Sequence, residues 1–397
     1  TCARPISVWM LASPSTTRTP PLPGSLRVCF TSRLSWKHLM VVMGPAKTSR
    51  PPNWVNCVSQ LRMSGPISSA RSAVAAKRTL RVSCAPGSRL LRGNRAEHEA
   101  LEAEAATFFG SEAALFLPTG YTANSALLST LPQRGDLIVA DELVHASMHE
   151  GLRLTRADYR FVRHNDPAAF DDALTAWREA GNTGQAWIAV ESLYSMDGDF
   201  APLADLTAVA ARHEAVLLVD EAHATGITGP QGRGLVARLP SRENVISLHT
   251  CGKALGAEGA LLCGPALMKD FLVNRARGFI FSTAPSPLSA AVVRAALAIV
   301  ADGDDLRQAL RDRIALAERL LVPLGAQCHG SPVLPLVLGD DRTTMAVAGD
   351  LQSAGFDVRG IRPPTVPEGT SRLRIVITLN ASADDIAGLA KALERVL

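Results

Sequence analysis

Seven short apolar runs that alternate with helix-period segments place the strongest constraint on the fold of this chain. Each run is too short for a helix, and none shows the strict apolar–polar alternation of a half-exposed strand. Such strands, separated by helical segments such as residues 167–180 and 203–213, predict a mostly parallel sheet covered by helices on both faces. The runs are residues 114–117, 137–140, 159–162, 187–190, 216–219, 245–248 and 260–263.

The chain beyond these runs predicts a second, smaller unit. Residues 287–300 and 305–321 have the period of long helices. From about Ala326 the pattern changes to three strand-like segments (333–338, 356–360 and 373–378), a helix near 343–354 and a closing helix. We therefore expect an α/β fold with a large domain over residues 85–325 and a small C-terminal α+β domain over 326–397.

The N-terminal segment, residues 1–84, does not share this pattern. Residues 1–96 contain fifteen Lys and Arg and no Asp or Glu, although the whole chain has 41 basic and 37 acidic residues. Three explanations stay open: an organellar transit peptide, a basic arm for nucleic acid, and an upstream piece translated in the wrong reading frame. The segment is longer than a typical transit peptide. Its basic residues are scattered rather than clustered, so we expect no nucleic-acid partner. The reading-frame explanation is therefore favoured.

Composition excludes several other classes of protein. No apolar run approaches the ~18–20 residues of a membrane-spanning helix, so no membrane partner is expected. The seven cysteines include no C-x-x-C pair, so the sequence predicts neither a zinc site nor a redox dithiol. A reduced, cytoplasmic protein without a bound metal is expected.

Asp220 directly follows the apolar run 216–219. A carboxylate at the end of a buried strand must be paired to stay ionised. One suitable partner is the protonated nitrogen of a pyridine ring, which the pairing makes an electron sink; a capping or salt-bridged aspartate is the common alternative. Asp220-Glu221-Ala222-His223 also matches the D-E-A-H box of ATPases, but no G-x-x-x-x-G-K-[ST] loop precedes it.

Lys253 lies in a glycine-rich turn after the run 245–248. Desolvation there lowers the pKa of the amine and favours a Schiff base with a carbonyl compound. Thr250, three residues earlier, can offer its hydroxyl to a phosphate. The alternative is a surface lysine in a turn.

Two further segments predict parts of the same site. Thr119-Gly120-Tyr121 opens a helix straight after a strand, where free N–H groups and the helix dipole attract a phosphate. His145 follows another strand and can stack on a flat ring, although a lone histidine there is more often structural. Because ligands bind beyond the carboxyl ends of parallel strands, these side chains are expected to meet at one edge of the sheet.

Taken in order, these motifs resemble the fold-type I pyridoxal-phosphate enzymes, and more narrowly the α-oxoamine synthases. The resemblance runs from about Gly87 to the C-terminus and is most specific at residues 194–199, 219–226 and 361–367. The string Arg-Pro-Pro-Thr-Val-Pro in the last stretch is most similar to the 8-amino-7-oxononanoate synthase family.

This resemblance implies an enzyme that uses pyridoxal 5'-phosphate and forms a homodimer with its active site at the interface. The implied reaction is an acyl transfer in biotin synthesis, in which L-alanine condenses with a pimeloyl thioester of coenzyme A or a carrier protein and carbon dioxide is released. The alternatives are another α-oxoamine synthase, similar to glycine C-acetyltransferase, and a truncated, non-catalytic homologue.

The resemblance also implies roles for individual residues. Lys253 holds the cofactor aldehyde and acts as general base, Asp220 binds the ring nitrogen, and His145 stacks on the ring and meets the substrate. The substrate contacts are Thr365 and Arg374, the latter as a clamp for a carboxylate. The other cofactor contacts are Gly120, Tyr121, Ser195, His223, Thr250 and, from a neighbouring subunit, Thr283.

Upstream of Gly87 the chain departs from the family. Residues 1–84 show no counterpart of its Asn-Asp-Tyr-Leu-Gly signature or of an earlier arginine that meets the acyl substrate. The same segment lacks acidic residues, so two oddities coincide. We therefore expect that this chain folds its core poorly or binds cofactor without full turnover.

Overall fold

The structure, a computed structural model, describes residues 85–397. The expectations for residues 1–84, including the reading-frame explanation, lie outside the described residues.

A seven-stranded sheet forms the centre of the larger part of the fold. Six strands run parallel to one another, whereas β7 is antiparallel to its neighbours β1 and β6. Each predicted apolar run lies within one strand, and the predicted mostly parallel sheet is confirmed. In the spatial order β1-β7-β6-β5-β4-β2-β3, the sheet contains β1 (Ala113–Leu117), β2 (Leu137–Asp141), β3 (Asp158–Val162), β4 (Ala186–Glu191), β5 (Val216–Asp220), β6 (Val245–Thr250) and β7 (Ala260–Gly264).

Helices connect the strands and cover the sheet. The helices of the larger part are α1 (Ala96–Phe109), α2 (Gly120–Thr130), α3 (Ala146–Leu154), α4 (Pro167–Glu179), α5 (Leu203–Arg212), α6 (Ala266–Arg275), α7 (Arg277–Ile280) and α8 (Pro287–Asp302). Short π-helical or 3-10 turns occupy Arg89–Gly93, Pro230–Gly232 and Val236–Arg238. Helix α1 ends at Gly110, whose φ of 67° is the left-handed conformation of a helix-terminating glycine.

Strand β2 shows why the inner strands are mainly apolar, whereas the edge strand β3 is exposed over most of its length. Successive side chains of a strand point to opposite faces of the sheet. Ile138 and Ala140 pack with α2 and α3 on one face, and Leu137 and Val139 pack with α4 and α5 on the other. Both faces are therefore buried, and a polar residue would be desolvated on either one.

A three-stranded antiparallel sheet, in the order β8-β10-β9, forms the small C-terminal domain. The elements from α8 onward are α9 (Asp304–Leu321), a 3-10 turn (Val322–Leu324), β8 (Val333–Gly339), α10 (Asp341–Ser353), β9 (Arg359–Ile361), β10 (Ser371–Val376) and α11 (Ala383–Val396). The hydrophobic core of this sheet includes Ile314, Ala317 and Leu321 of α9.

The strand predicted over residues 356–360 lies further along the chain than expected. Phe356 packs against the C-terminal core next to the end of α10, and its N–H donates to the carbonyl of Leu351 at 2.9 Å. Pairing with β10 begins only at Arg359. Phe356 is thus apolar because it packs beside the end of α10, and it is not part of a strand. Among the described residues, none of the helices is long and apolar enough to cross a membrane.

Candidate functional site

The carboxyl ends of β1, β2, β4, β5 and β6 lie at the same edge of the sheet because these strands are parallel. The loops that follow them surround a cavity of about 720 Å³, which we call the strand-edge cavity. Seven predicted site residues line it: Gly120, Tyr121, His145, Asp220, His223, Thr250 and Lys253. The structure therefore brings together side chains that are spread over more than a hundred positions of the sequence.

Asp220 ends β5 and is almost completely buried, with 4% of the residue exposed. Its Oδ2 accepts a hydrogen bond of 2.7 Å from Nδ2 of Asn124, and its Oδ1 accepts one of 2.8 Å from the N–H of Ala222. Two donors thus fix the orientation of the carboxylate at the floor of the cavity. A carboxylate held in this way is a suitable partner for a cation within the cavity.

His145 is held by a short hydrogen-bonded chain. It caps the N-terminus of α3, where its Nδ1 lies 2.8 Å from Oγ of Ser147 and accepts from the N–H of Ser147 at 3.2 Å. Nδ2 of Asn124 donates to the same Oγ at 3.0 Å. Burial lowers the pKa of His145, and this outweighs the nearby carboxylate of Asp220. The neutral imidazole is therefore favoured, and its ring is fixed against the cavity.

Lys253 follows β6 and also lines the cavity. Burial lowers the pKa of its amine, and the positive charge of Arg374 acts in the same direction, against the carboxyl groups of Asp220 and Glu191. A lowered pKa increases the fraction of neutral amine, which is the form that attacks a carbonyl carbon.

The buried Glu191 and the half-buried His223 add two titratable groups to the walls. Burial and the adjacent Asp220 raise the pKa of Glu191 well above its usual value, which favours the neutral acid. Burial, together with Lys253 and Arg374, lowers the pKa of His223 to about 2, so its imidazole is neutral. Both groups can therefore form hydrogen bonds with a ligand while they are uncharged.

The other end of the cavity is formed by the first turn of α2. Thr119 caps this helix by accepting from the N–H of Thr122, so the helix N-terminus points at the cavity. A Cβ atom at Gly120 would lie 2.4 Å from Cγ2 of Thr250, so only glycine fits there without a shift. Thr250 and the N-terminus of α2 therefore line the same part of the cavity wall, and a hydroxyl with a helix N-terminus suits a phosphate.

Arg374 lies outside the strand-edge cavity but lines an adjoining one of about 590 Å³, and His223 and Lys253 line both cavities. Its Nε donates to the carbonyl oxygen of Ser195 at 2.6 Å. The arginine from β10 is therefore anchored on the turn that follows β4. Its guanidinium is available near Lys253 for a substrate carboxylate.

Three predicted residues, Ser195, Thr283 and Thr365, line neither cavity. Thr283 precedes α8 and Thr365 precedes β10, and both are exposed. Ser195 is buried. Their predicted roles stay predictions.

Among the cavity residues to which sequence reasoning gave no role are Asn124, Ser147 and Glu191. Glu191 could have been found, because it ends the apolar run 187–190 as Asp220 ends its own run. Asn124 and Ser147 lie inside helical segments, where a polar residue carries no signal of its direction.

The cavity fits a flat cationic ring that carries a phosphate. Oδ1 of Asn124 and Oε1 of Glu191 are buried in its walls, and neither has a hydrogen-bond partner among residues 85–397. A carboxylate, a glycine-lined helix N-terminus, a lysine amine and two neutral imidazoles all line it. This set of donors and acceptors matches the ring nitrogen, phosphate and aldehyde of pyridoxal 5'-phosphate.

Comparison with known proteins agrees with this chemistry. The family model for aminotransferase class I and II matches residues 63–393. The 8-amino-7-oxononanoate synthase of Aromatoleum aromaticum is 42% identical over 312 residues, which cover 78% of this chain and 80% of the relative. That of Citrifermentans bemidjiense is 40% identical over 314 residues, covering 78% and 80%.

Solved structures show the same fold. A structure of serine palmitoyltransferase (SPT) with its pyridoxal-phosphate internal aldimine superposes with a TM-score of 0.75 and 27% identity. The superposition covers 82% of this chain and 82% of that one. The crystal structure of 8-amino-7-oxononanoate synthase from Francisella tularensis superposes with a TM-score of 0.68 and 25% identity, covering 83% of this chain and 93% of that one.

Proposed function

This chain belongs to the 8-amino-7-oxononanoate synthase family within aminotransferase class I and II, and from this we propose that it condenses L-alanine with a pimeloyl thioester. The family is enzymatic, its members are acyltransferases of biotin synthesis, and their cofactor is pyridoxal 5'-phosphate. The proposed products are 8-amino-7-oxononanoate, carbon dioxide and the free thiol carrier.

Each end of the cofactor has a proposed set of residues. Asp220 would pair with the ring nitrogen, His145 would stack on the ring, and Ser195 and His223 would contact its polar substituents. Gly120, Tyr121 and Thr250 would hold the phosphate at the N-terminus of α2. Lys253 would bind the aldehyde through Nζ. When bound, the cofactor supplies an electron sink for the negative charge that develops on the substrate Cα.

The protein groups then account for proton transfer and orientation. The Nζ of Lys253, with its lowered pKa, accepts the proton from Cα of alanine as general base. Arg374, anchored on the Ser195 carbonyl, receives the substrate carboxylate as a bidentate partner. Thr365 is proposed to contact the substrate as well. The observation that carries this proposal is that Asp220 and Lys253 line one cavity together with Gly120 and Thr250.

We further propose that the enzyme is a homodimer in which Thr283 completes the phosphate site of the neighbouring subunit. An exposed apolar surface supports this proposal. Leu91 is 82% exposed and Phe281 is 70% exposed, and a hydrogen bond of 2.9 Å from the N–H of Ala284 to the carbonyl of Gly87 joins their segments. Apolar patches of this kind are typical of interfaces.

The test is an assay with the full-length chain, pyridoxal 5'-phosphate, L-alanine and pimeloyl-CoA. We expect 8-amino-7-oxononanoate in the wild type and none with Lys253→Ala, which also loses the cofactor absorbance band that depends on this lysine. Glycine with acetyl-CoA and L-serine with palmitoyl-CoA serve as competing substrate pairs. A higher kcat/KM with either pair would assign the chain to another α-oxoamine synthase activity, and a cofactor band without any product would identify a non-catalytic homologue.

A further inference from the structure

A polar cluster lies next to the strand-edge cavity without lining it. The imidazole of His164 bridges two carboxylates: its Nδ1 lies 2.9 Å from Oδ1 of Asp141, and its Nε2 lies 2.8 Å from Oδ2 of Asp199. The His164 side chain is 19% exposed and that of Asp141 is fully buried. None of the three residues lines either cavity, and none has a role in the reaction proposed above.

Asn165 supplies two more donors to the same carboxylates. Its backbone N–H donates to Oδ2 of Asp141 at 2.8 Å, and its Nδ2 donates to Oδ2 of Asp199 at 2.6 Å. The residue has a φ of 51°, a left-handed conformation that asparagine adopts more readily than most side chains. This conformation directs the backbone and the side chain of one residue at two different carboxylates.

The bridge carries a positive charge at neutral pH. Burial lowers the pKa of His164, but the hydrogen bonds to Asp141 and Asp199 outweigh it and raise the pKa to about 10. The imidazolium therefore donates through both ring nitrogens. Without it, the fully buried carboxylate of Asp141 and the partly buried one of Asp199 would face each other with no cation between them.

Each carboxylate shapes a loop that carries a site residue. Asp141 ends β2, and its Oδ1 accepts from the N–H of Leu143 at 2.8 Å, which turns the chain towards His145. Asp199 belongs to the turn over residues 194–199, which closes through a hydrogen bond of 3.0 Å from the N–H of Tyr194 to the Asp199 carbonyl.

The turn over residues 194–199 also reaches the substrate arginine. Its Ser195 carbonyl accepts the hydrogen bond from Arg374, and its Asp197 pairs with Arg372 of the same strand, β10. The position of this turn therefore determines where β10 presents Arg374. The turn and the His145 loop come from different strands, and the bridge joins them.

We propose that His164 is a positioning residue of this enzyme: with Asn165, it sets the distance between the loop that carries His145 and the turn that anchors Arg374. This inference rests on the proposed function for the roles of these two residues. It predicts that loss of the bridge changes substrate binding and the surroundings of the cofactor ring, whereas the residues that hold the cofactor stay in place.

The test compares His164→Ala with His213→Ala in the holoenzyme. His213 is a matched control, because its Nε2 binds a carboxylate, that of Asp171, at 2.8 Å, and it lies outside both cavities. For His164→Ala we expect an apparent Kd for L-alanine, from the cofactor spectrum, about tenfold higher. We also expect altered visible circular dichroism of the bound cofactor and cofactor affinity within about twofold of wild type. Added imidazole should restore both properties, and His213→Ala should change neither.

Equal effects of the two variants, or no recovery with imidazole, would overturn the proposal. If His164→Ala does not fold, Asn165→Gly provides the test. Glycine readily adopts the left-handed backbone conformation, so this substitution removes only the side-chain amide. An L-alanine Kd about threefold higher is expected there, and unchanged Kd and circular dichroism would overturn the proposal. A wild type that does not respond to L-alanine would refute the proposed substrate, while the circular dichroism of the cofactor still tests His164.

Discussion

Nδ2 of Asn124 donates a hydrogen bond of 2.7 Å to Oδ2 of Asp220, although the two residues lie 96 positions apart in the chain. The same Nδ2 contacts Oγ of Ser147, which holds His145. One amide on the first turns of α2 therefore orients both the carboxylate proposed for the ring nitrogen and the histidine proposed to stack on the ring. Helix α2, whose N-terminus is proposed to hold the phosphate, thereby also supports the two side chains proposed for the ring.

Replacement of Asn124 by alanine is expected to weaken cofactor binding about tenfold, because a hydrogen bond to a buried charged group is lost. The measurement is a titration of the apoenzyme with pyridoxal 5'-phosphate, followed by absorbance. Asn274→Ala removes an exposed amide that donates to the Asp270 carbonyl of its own helix and is the control. Equal affinities of the two variants would show that Asn124 does not support Asp220.

A Cβ atom at Gly120 is expected to displace Thr250, because the two would lie 2.4 Å apart. Gly120→Ala should therefore lower cofactor affinity, by about tenfold or more. Thr250→Ser removes the clashing Cγ2 and keeps the hydroxyl, and the next nearest atoms would lie 3.6 Å and 3.8 Å away. Cofactor titrations should thus find the double variant tighter than Gly120→Ala alone, and a double variant as weak as Gly120→Ala would refute steric coupling.

Arg374→Gln should raise the KM for L-alanine about 30- to 100-fold and leave cofactor affinity nearly unchanged, because a bidentate partner of the carboxylate is lost. Steady-state kinetics at saturating acyl thioester measure this effect. Arg362→Gln, which changes an exposed arginine before β10, is the control. A large loss of cofactor affinity in Arg374→Gln would instead assign the arginine to the cofactor.

Mixing two inactive variants tests the proposed dimer. Lys253→Ala and Thr283→Trp should each be inactive alone, the first through the missing amine and the second through a blocked neighbouring phosphate site. After co-refolding at equal concentrations, about a quarter of wild-type activity is expected, because half of the dimers are mixed and each contains one intact site. Absence of recovery, with mixed dimers verified by two affinity tags, would place Thr283 outside the neighbouring site.

The stability that His164 contributes should decrease at high pH. Its folded pKa of about 10 exceeds the ordinary value of 6.5, so its contribution is fully present below about pH 6.5 and is lost as pH rises through 10. Asp141 and Asp199 face the imidazole directly, Tyr194 lies edge-on at 4.4 Å, and His329 acts on Asp199.

Chemical denaturation of the wild type and His164→Gln measures this dependence. The difference in their free energies of unfolding should be largest near pH 6.5 and shrink between pH 7 and 10. A difference that stays constant over this range would mean that the imidazole is neutral in the folded protein.

The prediction of the sheet from sequence succeeded for a physical reason. Strands buried on both faces favour apolar residues, as in Leu137–Asp141 up to its last residue, so a short apolar run bounded by polar residues indicates such a strand. In β6 the buried Ser247 and His249 are accommodated because they hydrogen-bond each other. The strand predicted over residues 356–360 begins later in the structure, at Arg359. The prediction started too early because Phe356 is buried against the end of a helix, and this burial favours an apolar residue just as burial in a strand does.

Sequence alone predicted which polar groups gather at the strand ends, because a polar group that follows a buried strand stands out against its apolar neighbours. Asp220, Lys253, His145 and the glycine turn were predicted in this way, and all of them line one cavity. Tertiary structure alone decided which helical side chains face that edge, since a helix surface carries polar residues in every outward direction. Asn124 and the His164 bridge act through contacts between elements distant in sequence, and such contacts exist only once the sheet has assembled the loops around one edge.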